Sequence, residues 1–209
     1  MGEKRMASQP QRDAVGTLDG MARGDPGLFG PDSVAWRVHA APSMLIGGLR
    51  ALLVQALHPL AMAGVHQHSD YRDNPWGRLR RTSEYVLATT YGDTATAERA
   101  GAVVQAVHRR VTGIDPVTGR TYRADDPELL AWVHNVEVHS FLAAYRRYGG
   151  SLPAAEADQY VREMTSAAEL VGLGASDVPA TLADLRAYLA GVDGLAVTPW
   201  AKDAMGLVL

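Results

Sequence analysis

Seven histidines are the residues of this sequence best able to bind a metal or an iron cofactor, and the chain has no cysteine. They are His39, His58, His66, His68, His108, His134 and His139. The absence of cysteine excludes disulfides, zinc–thiolate clusters, iron–sulfur centres and any haem attached through sulfur. A metal would therefore use His, Asp, Glu or Tyr.

His108 lies in the segment AGAVVQAVHRRV, in which valines recur at helical spacing. Val104 precedes it by four residues and Val111 follows it by three, so the imidazole is predicted to lie on the apolar face of a helix. Two interpretations stay open. A core histidine often bonds only to a backbone carbonyl, whereas an imidazole in an apolar wall is also what the proximal ligand of a haem iron requires.

Arg78 and Thr82 form a second group, in the segment WGRLRRTSEYV. Their four-residue spacing places them on one face of a helix, which Tyr85 and Thr89 continue. A guanidinium beside a hydroxyl suits a carboxylate, a haem propionate or a polarised oxygen ligand. The alternative is a solvated basic patch.

The remaining histidines give weaker signals. His58 follows an apolar run and is predicted to be buried or to face a pocket, where its ring needs a partner. His134 and Glu137 occur once, in the order opposite to the Glu-x-x-His pairs of dinuclear iron bundles, which argues against such a centre. His66 and His68 would diverge on a helix and converge on a metal only in a loop.

The elements that must position these residues are helices. The order of helix start and stop signals predicts an all-α fold, a single domain of about seven or eight helices. Residues 1–23 are predicted to be a flexible N-terminal arm, and the domain is predicted to span residues 24–209. Gly92 is expected to end one helix as a left-handed cap, and Thr94 to begin the next, which runs to about Val111.

The most apolar segment extends from Ser43 to Val65 and invites comparison with a membrane span. Arg50, His58 and Pro59 interrupt it, polar groups are costly in hydrocarbon, and a proline breaks a helix. The segment is therefore predicted to be a buried core helix that breaks at Pro59, with no transmembrane segment.

Several function classes are disfavoured by composition. Twenty basic and twenty-three acidic residues leave a net charge of −3 without long blocks of either sign, so no nucleic-acid partner is expected. The first residues hold no apolar secretory core, which predicts a cytoplasmic protein. The last helix, from Thr198 onward, reaches Leu209 without a polar tail, so we expect a domain truncated at its C-terminus or a homo-oligomer that covers this end.

Four segments in order resemble the oxygenase family that includes latex clearing proteins and fungal MpaB-type enzymes. They are GDPGLFGPDSVAWRVHAAPSMLIGGLRALLVQALHPLAMAGV, WGRLRRTSEYV, AVHRRV and LLAWVHNVEVHSFLAAYRRYG. The resemblance, from about Gly24 to Leu189, implies a globin-like helical core that binds haem b through a proximal histidine, with an Arg-x-x-x-Thr pair upstream. By that pattern His108 matches the iron ligand, and Arg78 and Thr82 match the pair.

This sequence departs from the family pattern at two points. Latex clearing proteins carry a lysine just before the threonine, and Arg81 stands here instead, which stays protonated and cannot bind iron. The acidic residue that serves latex cleavage as a base has no clear counterpart, since Asp70 and Asp73 are only nearby carboxylates. Rubber is not the expected substrate, because no export signal is present.

The resemblance implies a haem b-dependent oxygenase that acts with dioxygen on a lipophilic small molecule. His108 would bind the iron, Arg78 would hold a propionate or a polar oxygen species, and Thr82 would donate a hydrogen bond. His58 is assigned to the cofactor pocket, with a second-shell, distal or structural role left open. Two alternatives remain: a non-catalytic haem-binding or sensing module, and a cofactor-free helical interaction protein.

Overall fold

The computed structural model describes residues 24–208, which form a helical domain with one small β-hairpin. The predicted arm, residues 1–23, and Leu209 lie outside the described residues. The described part contains ten α-helices: α1 (Val34–Ala40), α2 (Ser43–Gln55), α3 (Pro59–His68), α4 (Pro75–Tyr91), α5 (Thr94–His108), α6 (Pro127–Ala144), α7 (Ala154–Glu163), α8 (Thr165–Leu170), α9 (Leu182–Gly191) and α10 (Pro199–Val208). The all-α prediction is confirmed, and helices outnumber the expected seven or eight because apolar segments are split near Pro59 and at Met164.

Helix α6 lies at the centre of the core, with eleven of its eighteen residues buried. Its ends follow the sequence signals. Asp126 caps the first turn by accepting a hydrogen bond from the backbone N–H of Glu128, and Pro127 occupies the first helical position, where its missing N–H costs nothing. A five-residue π-helix, Tyr145–Gly149, continues α6.

Helix α2 packs directly against α6 through a small residue. A Cβ atom at Gly47 would lie 2.8 Å from Cδ1 and 2.9 Å from Cα of Phe141, so the two helix backbones approach as closely as they do only because glycine stands there. On another side of the core, the Glu163 carboxylate on α7 accepts hydrogen bonds from the N–H groups of Val34 and Ala35, at 3.3 and 2.7 Å, which fixes the start of α1.

The predicted break at Pro59 is confirmed, and α2 and α3 meet at an angle of 104°. The prediction that this segment is a buried core helix is wrong for α2. Its buried residues are Ser43, Gly47 and Ala51, which face α6, while the face that carries Leu45, Ile46 and Leu49 is exposed. Within residues 24–208 no single helix is long and apolar enough to cross a membrane; α2 and α3 together meet that length and composition only as a bent pair.

Helices α4 and α5 form a hairpin whose boundaries differ from the predicted ones. Gly92 is extended, with φ −75° and ψ 160°, and is not a left-handed cap. Asp93, not Thr94, is the N-cap of α5, because its carboxylate accepts a 2.7 Å hydrogen bond from the N–H of Thr96. The helix ends at His108, not at Val111, because the chain turns there into the two-stranded hairpin β1 (Thr112–Ile114) and β2 (Thr121–Arg123).

Candidate functional site

His108 is the last residue of α5, and its ring is partly buried. Its Nδ1 atom is buried and has no hydrogen-bond partner among the described residues. Burial lowers the pKa of His108, and the negative charge of Asp125 partly opposes that shift. The imidazole is therefore mainly neutral at pH 7, and its Nδ1 has no protein partner among the described residues.

A small pocket of about 190 Å³ adjoins this ring. Its lining, besides His108, is Gln105, Arg109, Asp125, Leu130, Val171 and Gly172. The wall combines two apolar side chains with an amide, a guanidinium and a carboxylate. Sequence reasoning named only His108, although Gln105 lies one helical turn before it and could have been found by spacing. Arg109 directly follows His108 in the chain, while Asp125, Leu130, Val171 and Gly172 come from α6 and from the segments before α6 and after α8, which no local pattern connects to α5.

The predicted apolar face around His108 is only partly as expected. Val104 and Val111 are partly buried, whereas Val103 and Val107 face outward and are exposed. The side of α5 that meets the domain is instead lined mainly by small residues, with Ala97 and Gly101 fully packed. The helical hairpin of α4 and α5 therefore packs on the domain mainly through small residues of α5, with few aliphatic side chains at the contact.

Arg78 lies in the first turn of α4, and its Nη1 donates a 2.7 Å hydrogen bond to Ser69 Oγ. Burial lowers the pKa of its guanidinium, with a further lowering by Arg81, while the charges of Asp70 and Tyr71 oppose the shift. Asp70 itself forms a salt bridge with Arg81. The Arg78 guanidinium thus has a neutral hydroxyl as its partner, and the nearest carboxylate is bound by another arginine.

Thr82 is exposed, and its hydroxyl donates a 3.1 Å hydrogen bond to the carbonyl oxygen of Arg78. Neither Thr82 nor Arg78 lines the pocket beside His108. The end of α3 nevertheless contacts both regions, because Ser69 binds Arg78 while His68 Nε2 lies 3.2 Å from the carbonyl oxygen of Thr112, four residues after His108. That Arg78, Thr82 and His108 share one cofactor site stays a prediction.

His58 has a structural contact. It precedes α3 as its N-cap, and its Nδ1 accepts a 3.4 Å hydrogen bond from the N–H of Ala61. Its ring lies 5.9 Å from that of Trp132, and burial lowers its pKa, as does the positive charge of Arg120. His58 is not in the lining of the His108 pocket. Its assignment to the cofactor pocket stays a prediction.

The other histidine pairs do not form metal sites. His66 and His68 diverge from α3: His66 stacks on Trp200 at 3.7 Å between ring centres, while His68 turns toward β1. Within residues 24–208 no group of three or more His, Asp or Glu side chains is arranged to hold a metal ion. A cofactor that brings its own equatorial ligands, as haem does, needs only one of these nitrogens.

His134 and Glu137, considered from the sequence only as ligands of a dinuclear iron centre, lie on α6 with strongly shifted pKa values. Burial raises the pKa of Glu137 to about 7 and lowers that of His134, one turn earlier, to about 4. Tyr85 on α4 has its pKa raised by burial and by the charge of Glu137. Glu137 thus exchanges a proton near neutral pH, the range in which general acids and bases work best. The signal was available, since a glutamate stands alone among apolar residues in AWVHNVEVHSFL.

The residues around His108 can be tested against haem b, which the resemblance implies. The donor fits, because a neutral imidazole with an unsatisfied nitrogen is what an axial position requires. The volume does not fit as it stands, because about 190 Å³ is below the ~300–1,000 Å³ of pockets that hold small-molecule ligands. Haem would need more space than this pocket offers between α5, α6 and the end of α8.

Comparison with known protein families gives a match. A family model described as ER-bound oxygenase mpaB/B'/rubber oxygenase, catalytic domain, matches residues 36–208, which include His58, Arg78, Thr82 and His108. No curated protein and no solved structure matches the chain.

Proposed function

Since this chain belongs to the family of ER-bound oxygenase mpaB/B' and rubber oxygenase catalytic domains, we propose that it is a haem b-dependent oxygenase acting with dioxygen on a lipophilic small molecule. The single observation that supports the haem is the buried Nδ1 of His108, which has no hydrogen-bond partner among the described residues. A buried ring nitrogen without a partner costs ~1–3 kcal/mol, and a bound iron would remove that cost.

In this proposal His108 would hold the haem through its imidazole. Haem, when bound, supplies the activation of dioxygen. Burial keeps the imidazole neutral, which is the form that binds a metal. Asp125, in the same pocket lining, holds a negative charge near the ring and increases its basicity, as carboxylates near ligating histidines do.

Arg78 supplies a positive charge for a propionate. Its present partner is the neutral Ser69 hydroxyl, so its charge is not compensated by that bond, and a carboxylate in the same place would form a charge-assisted pair. Arg80 and Arg81 already bind Glu84 and Asp70. Of the three arginines in WGRLRRT, Arg78 is therefore the one with binding capacity left.

A lipophilic substrate would contact Leu130 and Val171, the two apolar side chains in the lining beside His108. The other side chains of that lining are polar, so the apolar contact is confined to this part of the wall. The proposal includes an outward movement of the hairpin, because the pocket must widen to take both a cofactor and a substrate.

The test is the absorption spectrum of purified protein expressed with added haem. We expect a Soret band at about one haem per chain, and its loss in His108→Ala with helix content unchanged by circular dichroism. His68→Ala is the matched control, because this exposed histidine, which contacts the Thr112 carbonyl and the edge of Tyr122, is not in the pocket lining and should keep the haem. A full Soret band with unchanged axial ligation in His108→Ala would refute the assignment and make His58 or His134 the next ligand to test.

Enzymatic activity is tested separately by oxygen consumption. We expect the haem-loaded protein to consume dioxygen when an unsaturated lipid or another alkene is added. A haem protein that consumes none with a broad set of such compounds would instead be a haem-binding module without oxygenase activity.

A further inference from the structure

The outward face of α2 is apolar and exposed. Leu45, Ile46 and Leu49 have 73%, 47% and 42% of their surface accessible, while the opposite face of this helix packs on α6. Successive residues of a helix are 100° apart, so these three side chains form one continuous strip. Scattered apolar residues on a surface need no explanation, but three large aliphatic side chains on one helix face form a patch that marks an interaction site.

Four arginines lie along one side of this strip: Arg50, Arg146, Arg147 and Arg186. Arg50 is on α2 itself, and its Nη1 donates a 2.6 Å hydrogen bond to Ser140 Oγ on α6. The positive charges of Arg50 and Arg186 both act on the ring of His139, so their guanidinium groups lie around it. Arg146, Arg147 and Arg186 line a shallow pocket of about 300 Å³ together with Ala143.

These four arginines, like most arginines of residues 24–208, form no salt bridge with a described carboxylate; what sets them apart is that they are grouped together. Five arginines form salt bridges within residues 24–208, namely Arg37, Arg72, Arg80, Arg81 and Arg123. None of the four beside α2 does so with any described residue. The chain as a whole carries a net charge of −3, so this concentration of positive charge runs against the average of the protein. It creates a local potential that attracts anions.

The two features have the layout of a surface that lies on a membrane. The aliphatic strip of α2 lies next to the guanidinium groups. Its side chains can enter the acyl boundary of a bilayer while the guanidinium groups contact lipid phosphates. Tyr148 is 62% exposed next to these arginines, with the Arg147 guanidinium 5.3 Å from its ring centre. Tyrosine and arginine are the side chains whose apolar body and polar tip suit the headgroup region.

We propose that Leu45, Ile46 and Leu49 together with Arg146, Arg147 and Arg186, here called the basic–apolar surface, dock this protein on an anionic lipid bilayer. The occupant is the bilayer, because exposed aliphatic side chains beside guanidinium groups match acyl chains beneath anionic headgroups. This inference does not depend on haem binding. It goes beyond the proposed function by stating that the protein would encounter a lipophilic compound at a membrane surface.

Co-sedimentation with vesicles tests the proposal on the whole chain. We expect binding to vesicles of phosphatidylcholine mixed with phosphatidylglycerol, weak binding to phosphatidylcholine alone, and release at ~1 M salt, where charges are screened within about 3 Å. The triple variant R146Q/R147Q/R186Q should bind the anionic vesicles about 100-fold more weakly. The matched control R80Q/R99Q/R162Q removes the same charge from α4, α5 and α7 and should bind as the wild type does.

Each other outcome of that assay counts against the proposal. Absence of wild-type binding to anionic vesicles, or equal loss in both triple variants, would overturn it. So would a wild-type dimer in light scattering that Leu45→Ser and Leu49→Ser convert to monomers without any change in vesicle binding, because the strip would then be an interface between two copies. Circular dichroism on every variant checks that the helices are intact.

Because the chain has no cysteine, a single introduced cysteine can carry a spin label that measures how deeply α2 enters the bilayer. A nitroxide label on Leu45→Cys should become protected from a water-soluble relaxation agent and accessible to oxygen when anionic vesicles are added. The same label on Val103→Cys, at a position that is 64% exposed on α5, should not change. Equal changes at both positions would mean non-specific adsorption and would contradict the assigned surface.

Discussion

The central helix α6 and the hairpin of α4 and α5 are built on opposite principles, although both carry conspicuous polar residues. In α6 eleven of eighteen residues are buried, whereas α4 buries three of seventeen and α5 two of fifteen. Trp132, Val136 and Leu142 are almost completely enclosed, while Leu87, Val103 and Val107 of the hairpin face outward. Packed aliphatic surface is the main source of stability, so the two regions must differ widely in their resistance to opening.

The difference shows where this fold can move. The two sets of residues with the strongest link to the proposed chemistry, Arg78 with Thr82 and His108, lie on the hairpin and not on the packed helix. A rigid α6 with a loosely held hairpin beside it permits the pocket to widen while the core stays folded. Elements that move on ligand binding are drawn from the less stable parts of a protein.

The largest expected effect is the difference in unfolding free energy between a substitution in α6 and one in the helical hairpin of α4 and α5. Leu142→Ala, at a position that is 1% exposed, should lower the free energy of unfolding by about 2–5 kcal/mol, because it leaves a cavity in a packed region. Val103→Ala should change it by less than about 0.5 kcal/mol. Urea unfolding of both variants measures this, and similar losses would show that the hairpin is packed as tightly as the core.

The attachment of the hairpin to the core should depend on pH through His39. This buried residue of α1 has Nδ1 2.8 Å from Thr90 Oγ1 on α4 and Nε2 2.9 Å from Tyr160 Oη on α7, and burial lowers its pKa to about 4. The unfolded chain takes up that proton near pH 6.5, so stability is complete above that pH and falls toward pH 4, by about 3 kcal/mol.

Comparison with His39→Gln isolates that contribution. The variant keeps two polar groups on the side chain but cannot titrate, so its stability should vary less between pH 7 and pH 4 than that of the wild type. Parallel pH profiles for the two proteins would mean that His39 takes up its proton without cost in the folded state, and that acid does not weaken this attachment.

Haem binding should reduce the difference in local stability between α6 and the helical hairpin of α4 and α5. Ligand at about 100 times its dissociation constant stabilises a protein by about 2.7 kcal/mol, and that gain should appear first in the amides of α4 and α5. Hydrogen exchange with and without haem measures it residue by residue. Equal slowing in α6 would indicate that the cofactor stabilises the whole domain and that the hairpin does not open independently.

The smallest effect is expected from the pair of arginines on α4. Arg78→Ala should weaken haem retention about tenfold, the value of one hydrogen bond to a charged group. Arg80→Ala should leave it within about twofold, because this exposed residue pairs only with Glu84, at 3.1 Å. Haem transfer to an acceptor protein compares the two, and equal weakening would make the arginines a surface feature without a role in the pocket.

Local chemistry made the helix boundaries predictable wherever one side chain satisfies a nearby backbone group. Asp126 with Pro127 starts α6, and the break before Pro59 is present, because capping and the missing proline N–H act within a few residues. The same reasoning misplaced the start and end of α5. There two adjacent polar residues compete for the cap, and the end is set by the β-hairpin that follows.

The sequence by itself determined an all-α domain and its cysteine-free chemistry, and it selected His108 as the candidate ligand, since composition, helical period and motif order are all properties of the chain. Only the tertiary structure decided that Asp125, Leu130 and Val171 surround that imidazole, because they come from segments far apart in the sequence. It also decided that one face of α2 lies open beside four arginines. An apolar period predicts that a face is buried somewhere, but which neighbour covers it depends on how distant helices pack.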